Sequence, residues 1–294
     1  MTTSPSSSGT SSRAGEPRVV IPTYAVPACA GLDLVAELEA LPANPTSAMR
    51  VLFLADDPNS SASDLGVAVG SDPSLTARVM KVANSAYYGL SGRVPSATFA
   101  ITVLGFDTVR AIAAATAAGI TGDSGSLPDG FWIHAASVAV SCSLVAPRVA
   151  VRGPEAFSLG LLHDLGHALL HRGLGPLPAE APPETEDAAR IIYEQERWGI
   201  DHATAVSRVL AAWWFPEEFT RALLMHHMGP AAAHSNLERV VIGGEALARA
   251  AAGIDLTSLE PSLALVDLDA RSAAPLTEKV RDETDALAAS LAGL

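Results

Sequence analysis

The sequence predicts a nearly all-α protein, and three observations support this. Alanine and leucine, both good helix formers, dominate a composition that is 49% apolar and only 5% aromatic. Apolar residues recur at helical spacing between proline and glycine breaks, and no long alternating run occurs. We therefore expect under about a tenth of the residues in strands, in a helical bundle with two helical subdomains.

The N-terminal residues 1–24 are small, polar and of low complexity, which predicts a disordered tail. Helical patterning begins near Gly31. Asp72-Pro73 is a helix start, with aspartate as the N-cap and proline at the first helical position. On that helix we expect Arg78 and Lys81 to point away from the core. Ser96 and Asp107 are expected to cap the next two helices.

Four glycines and a proline between Gly119 and Gly130 predict a linker. It would join an N-terminal subdomain, 25–124, to a second helical subdomain, 125–255. In the second subdomain we expect a helix over Phe131–Val151 and one opened by Pro154 that carries His163. Further helices are predicted at about 187–198, 201–213, 216–228 and 236–252, after a surface loop at 173–187. Residues 256–294 are weakly patterned and predict a loosely attached C-terminal extension.

Charge and hydropathy exclude some functions. The net charge of −13 disfavours binding to nucleic acid or to an anionic membrane surface, since both need clustered cations. The sequence contains no run of 18 uninterrupted apolar residues, so we expect no membrane span. The N-terminus does not resemble a secretory signal. A cytoplasmic location is expected. Cys29 and Cys142 form no CxxC motif and are expected to be buried, reduced thiols.

The pair His163-Asp164 offers an imidazole nitrogen and a carboxylate, which suits a divalent transition metal. Adjacent helical residues point about 100° apart, so one metal requires a distorted or ending helix, which Gly166 would permit. If the helix continues, His167 and His171 share a face with His163, and this spacing can chelate zinc. The alternative is a helix bearing polar histidines at a subdomain boundary.

The remaining histidines have structural interpretations of their own. His134 lies in an apolar helix, where a lone histidine is more often a hydrogen-bonded core residue than a ligand. His202 follows a capping aspartate at a helix start, and His226-His227 lie near a helix end, where a positive charge favours the dipole. No motif for nucleophilic catalysis or phosphate binding is present in a strand–turn–helix setting.

A series of ordered motifs resembles the HDOD domain, a signalling output module related to HD-type metal phosphohydrolases. The resemblance covers about Leu32 to Ala252 and implies an HD-domain-like helical bundle, in which residues 125–255 form the HD-like subdomain. In the first half it rests on Leu41–Pro45, Ser71–Arg78, Val82–Gly89 and Ala100–Arg110. In the second half it rests on Phe131–His134, Gly160–Gly166, Trp198–His202, Trp213–Glu218 and His226-His227. Within these motifs, we expect Asn84 to cap a helix end while Tyr87 and Tyr88 pack between subdomains, with a partner-binding surface as the alternative.

The resemblance implies a divalent metal, Zn, Mn, Fe or Mg, held by His134, His163 and Asp164. The fourth ligand of the family pattern is Asp, and the chain has Glu245 there. The chain departs from the pattern elsewhere too. His167 replaces the Lys of HD-GYP relatives, which hydrolyse cyclic di-GMP, and Trp214 replaces a Gly.

The resemblance implies a regulatory module without strong catalytic activity. It would contact other signalling proteins and carry a pocket that senses a metal or a nucleotide. The alternative is a metal-dependent phosphohydrolase acting on a nucleotide or cyclic dinucleotide. The basic residues nearest in sequence that could hold phosphate are Arg148, Arg152 and Arg172. A third possibility is a structural scaffold with a degenerate pocket.

Overall fold

A computed structural model describes Met1 and residues 30–39, 46–90, 92–120, 127–178, 181–182 and 187–292. Within these ranges the chain forms fifteen α-helices and no strand, which confirms the all-α prediction. The helices are α1 (Ala30–Glu39), α2 (Ser47–Asp56), α3 (Ala62–Gly70), α4 (Pro73–Ala83), α5 (Ala97–Leu104), α6 (Phe106–Ala117), α7 (Phe131–Val145), α8 (Gly153–Leu162), α9 (Leu165–Leu174), α10 (Asp187–Trp198), α11 (His202–Ala212), α12 (Glu217–Met225), α13 (Asn236–Ala251), α14 (Leu256–Leu263) and α15 (Ala270–Ala292). The predictions for residues 2–24, Cys29 and Leu41–Pro45 lie outside the described residues. The division into two subdomains stays a prediction.

Local capping sets several helix starts. The Asp72 carboxylate accepts from the amides of Ser74 and Leu75, at 2.9 and 3.1 Å, ahead of Pro73. Ser96 caps α5 as predicted, through a 3.2 Å bond from the Phe99 amide.

The prediction for Asp107 is wrong. α6 begins at Phe106, and its N-cap is Gly105, whose φ of +79° favours glycine. Asp107 therefore lies within the first turn of α6, where it forms an ion pair with Arg152 at 2.9 Å.

The prediction that Arg78 points to solvent is also wrong, since only 3% of the residue is exposed. Its Nη1 donates a 2.9 Å hydrogen bond to the carbonyl of Ile120, just beyond the end of α6. The same prediction for Lys81 fails in part, because that residue is half-buried. Helical periodicity cannot predict that a guanidinium is buried because it donates a hydrogen bond to a distant carbonyl.

The segment after α4 joins the two halves of the chain. Asn84 donates from Nδ2 to the carbonyl of Met80, and its Oδ1 accepts from the amide of Val94, at 2.9 and 3.1 Å. The rings of Tyr87 and Tyr88 lie 5.4 and 6.2 Å from that of Phe157 on α8. Asn84 is thus a structural cap, and the two tyrosines pack against the second half of the chain, as predicted.

Helix α7 lies at the centre and packs against α8, α13 and α15. With the 3₁₀ turn Ala146–Val149 it forms the one single helix in the described residues that is long and apolar enough to cross a membrane, and 56% of that stretch is buried. The all-round apolar character is that expected of a central helix. Its Cys142 is a free, buried thiol, as predicted, and burial raises the pKa of that thiol.

The C-terminal extension is not loosely attached, contrary to the sequence prediction. Helix α15 packs against α7 and α4 along a stripe of buried small and apolar residues, which includes Ala273, Val280, Leu287 and Leu291. Most of its acidic residues are exposed, and their mixture with the buried residues weakened the apolar pattern in the sequence. α15 is therefore part of the core that surrounds α7.

Candidate metal centre

His163 and Asp164 lie in a two-residue break between α8, which ends at Leu162, and α9, which begins at Leu165. The ending helix that one shared metal requires is therefore present. His163 Nδ1 donates to the carbonyl of Gly160 at 2.7 Å, which turns its Nε2 toward Asp164 Oδ2, 3.2 Å away.

His134 on α7 completes the first group of candidate ligands. Its Nε2 lies 3.1 Å from His163 Nε2 and 3.3 Å from Asp164 Oδ2. The predicted convergence of His134, His163 and Asp164 is therefore present. One potential ligand atom from each of the three residues falls within 4.8 Å of the others. Their role as metal ligands stays a prediction.

A second group of histidines surrounds the other oxygen of the same carboxylate. Asp164 Oδ1 lies 3.6 Å from both His202 Nε2 and His226 Nε2. His227 Nε2 lies 2.9 Å from His202 Nε2, and potential ligand atoms of all four residues fall within 4.8 Å of one another. From the sequence, His202, His226 and His227 were expected to have structural roles. Their place in the motifs Trp198–His202 and His226-His227 was the signal that could have marked them as site residues.

Gly166 brings this second group into place. A Cβ at Gly166 would lie 2.0 Å from the carbonyl oxygen of His202, so only glycine allows α9 and the start of α11 to approach so closely. The sequence-based role of Gly166, to permit a helix break, is wrong, because α9 runs through it.

The two imidazoles of the second group that contact Asp164 through Nε2 each form a hydrogen bond through Nδ1 on the opposite side of the ring. His202 Nδ1 donates to Glu194 at 2.6 Å, and His226 Nδ1 donates to the carbonyl of Leu223 at 2.5 Å. Such outer partners orient metal-binding histidines so that Nε2 faces inward. His226 Nε2 is buried and has no hydrogen-bond partner among the described residues. An inward-facing lone pair without a partner fits a divalent metal in this cluster.

The electrostatics of the cluster keep its carboxylates ionised. Burial would raise the pKa of Asp164, but the charge of His163 and the polar contacts of His134, His163 and His226 hold it well below its usual range. Burial likewise opposes ionisation of Glu194, whose pKa falls to about 2 because of His202. The pKa of His202 rises to about 9, since the charge and hydrogen bond of Glu194 outweigh its burial. The Asp164 carboxylate therefore stays ionised, as a metal ligand must be.

His167 and His171 belong to neither group. His167 is buried, and its Nε2 accepts from Arg190 at 2.8 Å, while Arg190 also binds Glu194 at 2.9 Å. Burial and the charge of His202 lower the pKa of His167 to about 4. Because the helix breaks at residues 163–164, His167 and His171 do not continue one helical face from His163.

Glu245, the predicted fourth ligand, lies on α13 near the cluster but in neither group. Its carboxylate forms an ion pair with Arg249 at 2.8 Å. Burial opposes ionisation, but the charges of His227, Arg249, His226 and His163 lower its pKa. The ligand role of Glu245 stays a prediction.

A cavity of about 610 Å³ opens onto the first group, between α7, α13 and α15. Its charged lining residues are Asp164, Glu245, Arg249, Arg281 and Asp285, and its apolar wall includes Ile133, Ala248, Ile254 and Val280.

The basic residues chosen from the sequence lie elsewhere in the fold. Arg148 donates to the carbonyl of Asp267, Arg152 pairs with Asp107, and Arg172 donates to the carbonyl of Ala118. Arg281 instead reaches the cavity from α15, far along the chain, and nothing in the local sequence signals this.

The family model of the HDOD domain matches residues 41–228. The chain belongs to the HDOD family. No match was found among curated proteins. This HDOD protein is similar in fold to a putative phosphohydrolase from Shewanella amazonensis SB2B, at 24% identity, TM-score 0.70, and 89% and 98% coverage of this chain and that one.

Two further solved structures share this fold. An HDOD domain protein with unknown function from Geobacter sulfurreducens has 21% identity and a TM-score of 0.62, with 90% and 98% of the two chains covered. A putative signal transduction protein from Marinobacter aquaeolei VT8 has 25% identity and a TM-score of 0.61. That match covers 89% of this chain but 66% of the Marinobacter chain. All three solved structures therefore share the helical fold of this chain.

Proposed function

We propose that this HDOD protein is a signal-transduction module that acts through protein contacts and holds a divalent metal around Asp164. One observation carries the metal assignment. Each oxygen of one buried carboxylate faces two imidazole Nε2 atoms, at 3.2–3.3 Å on one side and 3.6 Å on the other. A donor set rich in imidazole favours zinc or iron over magnesium. The bound metal would supply charge neutralisation that holds the surrounding helix ends together.

Metal content of the purified full chain tests this assignment. We expect at least one equivalent of zinc, iron or manganese per chain, lost in Asp164→Asn, which keeps the shape but removes the charge. The matched control is His171→Ala, a half-buried histidine outside both groups, which should keep the metal. Metal-free wild type after exposure to each ion in turn, or equal content in Asp164→Asn, would contradict the assignment.

A phosphohydrolase is the second candidate, because the cavity opens directly onto His134 and Asp164. Its charges argue against strong phosphate binding. Arg249 is paired with Glu245 at 2.8 Å, and Arg281 donates from Nε to the carbonyl of Ala251 at 2.8 Å. The three carboxylates that line the cavity outnumber these two cations. A regulatory ligand pocket therefore fits better than a site for rapid phosphate-ester chemistry.

Hydrolysis assays separate the two candidates. We expect weak or no turnover of phosphate esters, nucleotides and cyclic dinucleotides, with or without added manganese. Metal-dependent turnover of about 1 s⁻¹ or faster, in the range of ordinary enzymes, would promote the phosphohydrolase if His163→Ala and Asp164→Ala abolish it.

A further inference from the structure

The loop between α11 and α12 holds a tryptophan in a backbone conformation that favours glycine. Trp214 has φ of +61°, where the Cβ of an ordinary residue crowds its own backbone. The Trp214 carbonyl accepts a hydrogen bond from Arg110, so the conformation is fixed by the surrounding structure. Strained positions that a structure maintains are often functional.

The side chain of Trp214 is exposed beside another exposed aromatic residue. Trp214 is 41% exposed, whereas the other three tryptophans are at most 8% exposed. Phe53 on α2 is 60% exposed, and its ring meets that of Trp214 edge to face, with centroids 6.3 Å apart. We name Phe53 and Trp214 the aromatic pair. Adjacent exposed apolar side chains, unlike scattered ones, mark interaction sites.

The buried guanidinium of Arg110 holds the two segments that carry the aromatic pair. Arg110 forms a 3.0 Å ion pair with Asp56, one turn beyond Phe53, and stacks 4.2 Å from the centre of the Phe215 ring. The same guanidinium therefore fixes both α2 and the Trp214 loop. A surface held in this way loses little conformational freedom when it binds a partner.

Exposed acidic side chains belong to the two helices that flank the aromatic pair, α2 and α12. Asp56 is 47% exposed at its side chain, and Glu217 and Glu218 follow Trp214 at the start of α12. The exposed cations described on these two helices are Arg50, one turn before Phe53, and Arg221 on α12, which is paired with Glu238 at 2.9 Å. The net charge of the chain is −13. This field repels nucleic acid and anionic membranes and attracts a cationic partner.

We propose that the aromatic pair is the docking site for a segment of a partner protein that combines apolar and basic side chains. The proposal rests on the proposed function, because it identifies the surface through which the module makes protein contacts. Apolar side chains of the partner would cover Phe53 and Trp214, and its lysines or arginines would face Asp56, Glu217 and Glu218.

A displayed random-peptide library, selected on the full chain and depleted on Trp214→Gly, tests the proposal. We expect selected peptides to combine Lys or Arg with large apolar residues and to shift the emission of Trp214 to shorter wavelength. Their Kd should rise about tenfold or more in Trp214→Gly and in Phe53→Ala, as for aromatic hot spots. Glu217→Lys/Glu218→Lys should also weaken binding. Ile192→Ala, 56% exposed on α10, is the matched control and should bind as wild type.

Trp214→Gly introduces the residue that its backbone favours, and its melting temperature checks that the fold is intact. Three outcomes would overturn the proposal: no peptide that depends on Trp214, selected peptides without basic enrichment, or self-association of the chain that Trp214→Gly abolishes. Metal content is measured on the same samples. Loss of the metal assignment with retained peptide binding would reject the metal centre and leave this docking surface standing.

Discussion

The helix pair α11–α12 buries polar side chains at one end and exposes an apolar side chain at the other. At one end, His202 and His226 are buried beside Asp164. At the other end, about 16 Å away along α11, Trp214 is exposed in a strained conformation. Soluble proteins ordinarily bury apolar groups and expose polar ones. Because both ends depart from what stability alone favours, both are where function is expected.

Removal of the Asp164 carboxylate, which the buried histidines share, should lower the free energy of unfolding more than any other change considered. Asp164→Ala deprives four imidazoles of their common partner, so we expect a loss of about 3–5 kcal/mol in the free energy of unfolding. Urea denaturation of the metal-free chain measures it. Asp282→Ala, an exposed aspartate on α15, is the control. Equal stability of the two variants would show that Asp164 does not organise the cluster.

A methyl group at Gly166 tests the close approach that places His202. Gly166→Ala should push α9 from α11 and cost about 1–3 kcal/mol, the usual range for overpacking. Gly70→Ala is the matched control, since its Cβ would meet no atom within 4 Å. A fully stable Gly166→Ala that also retains its metal would refute the packing argument.

Asn84 lies outside both ends of the α11–α12 pair. Its substitution therefore shows how much an ordinary capping residue contributes to the free energy of unfolding. Asn84→Ala loses bonds to Met80 and Val94 and should lower stability by about 0.5–2 kcal/mol. Thermal unfolding, with exposed Asn59→Ala as reference, gives the value. An unchanged midpoint together with lost regulation would favour the partner-binding alternative for this segment.

The exposed end should tolerate change best. In Trp214→Gly, relief of about 1–2 kcal/mol of left-handed strain offsets the lost aromatic contact and the added chain freedom. We expect a net change below about 1 kcal/mol. Its neighbour Trp213, 3% exposed, should lose about 3–5 kcal/mol on substitution by alanine. Similar losses in the two variants would mean that Trp214 is structural.

The helices could largely be predicted from the sequence, because their signals are local. Asp72-Pro73 and Ser96 cap helices as expected, and the helix predicted at 187–198 has those bounds. The errors arise where a distant partner decides. Arg78 is buried because of the Ile120 carbonyl, and α15 packs because α7 offers it an apolar face.

The candidate site was predicted only in its first half. The HD motif identified His163 and Asp164, and the family pattern added His134. The second group was missed, because His202 and His226 reach Asp164 only through helix packing that Gly166 permits. The exposure of Trp214 was likewise not predictable. The family resemblance predicts a glycine at this position, but only the fold shows that Trp214 is exposed beside Phe53.

X-ray absorption spectroscopy of the zinc-loaded full chain tests the metal centre most directly. We expect a first shell of nitrogen and oxygen at about 2.0–2.1 Å, with the outer scattering of several imidazoles. Asp164→Asn should lose this signal, and His171→Ala should keep it. A chain that binds no zinc stoichiometrically, or a spectrum that is unchanged in Asp164→Asn, would contradict a metal centre built around Asp164.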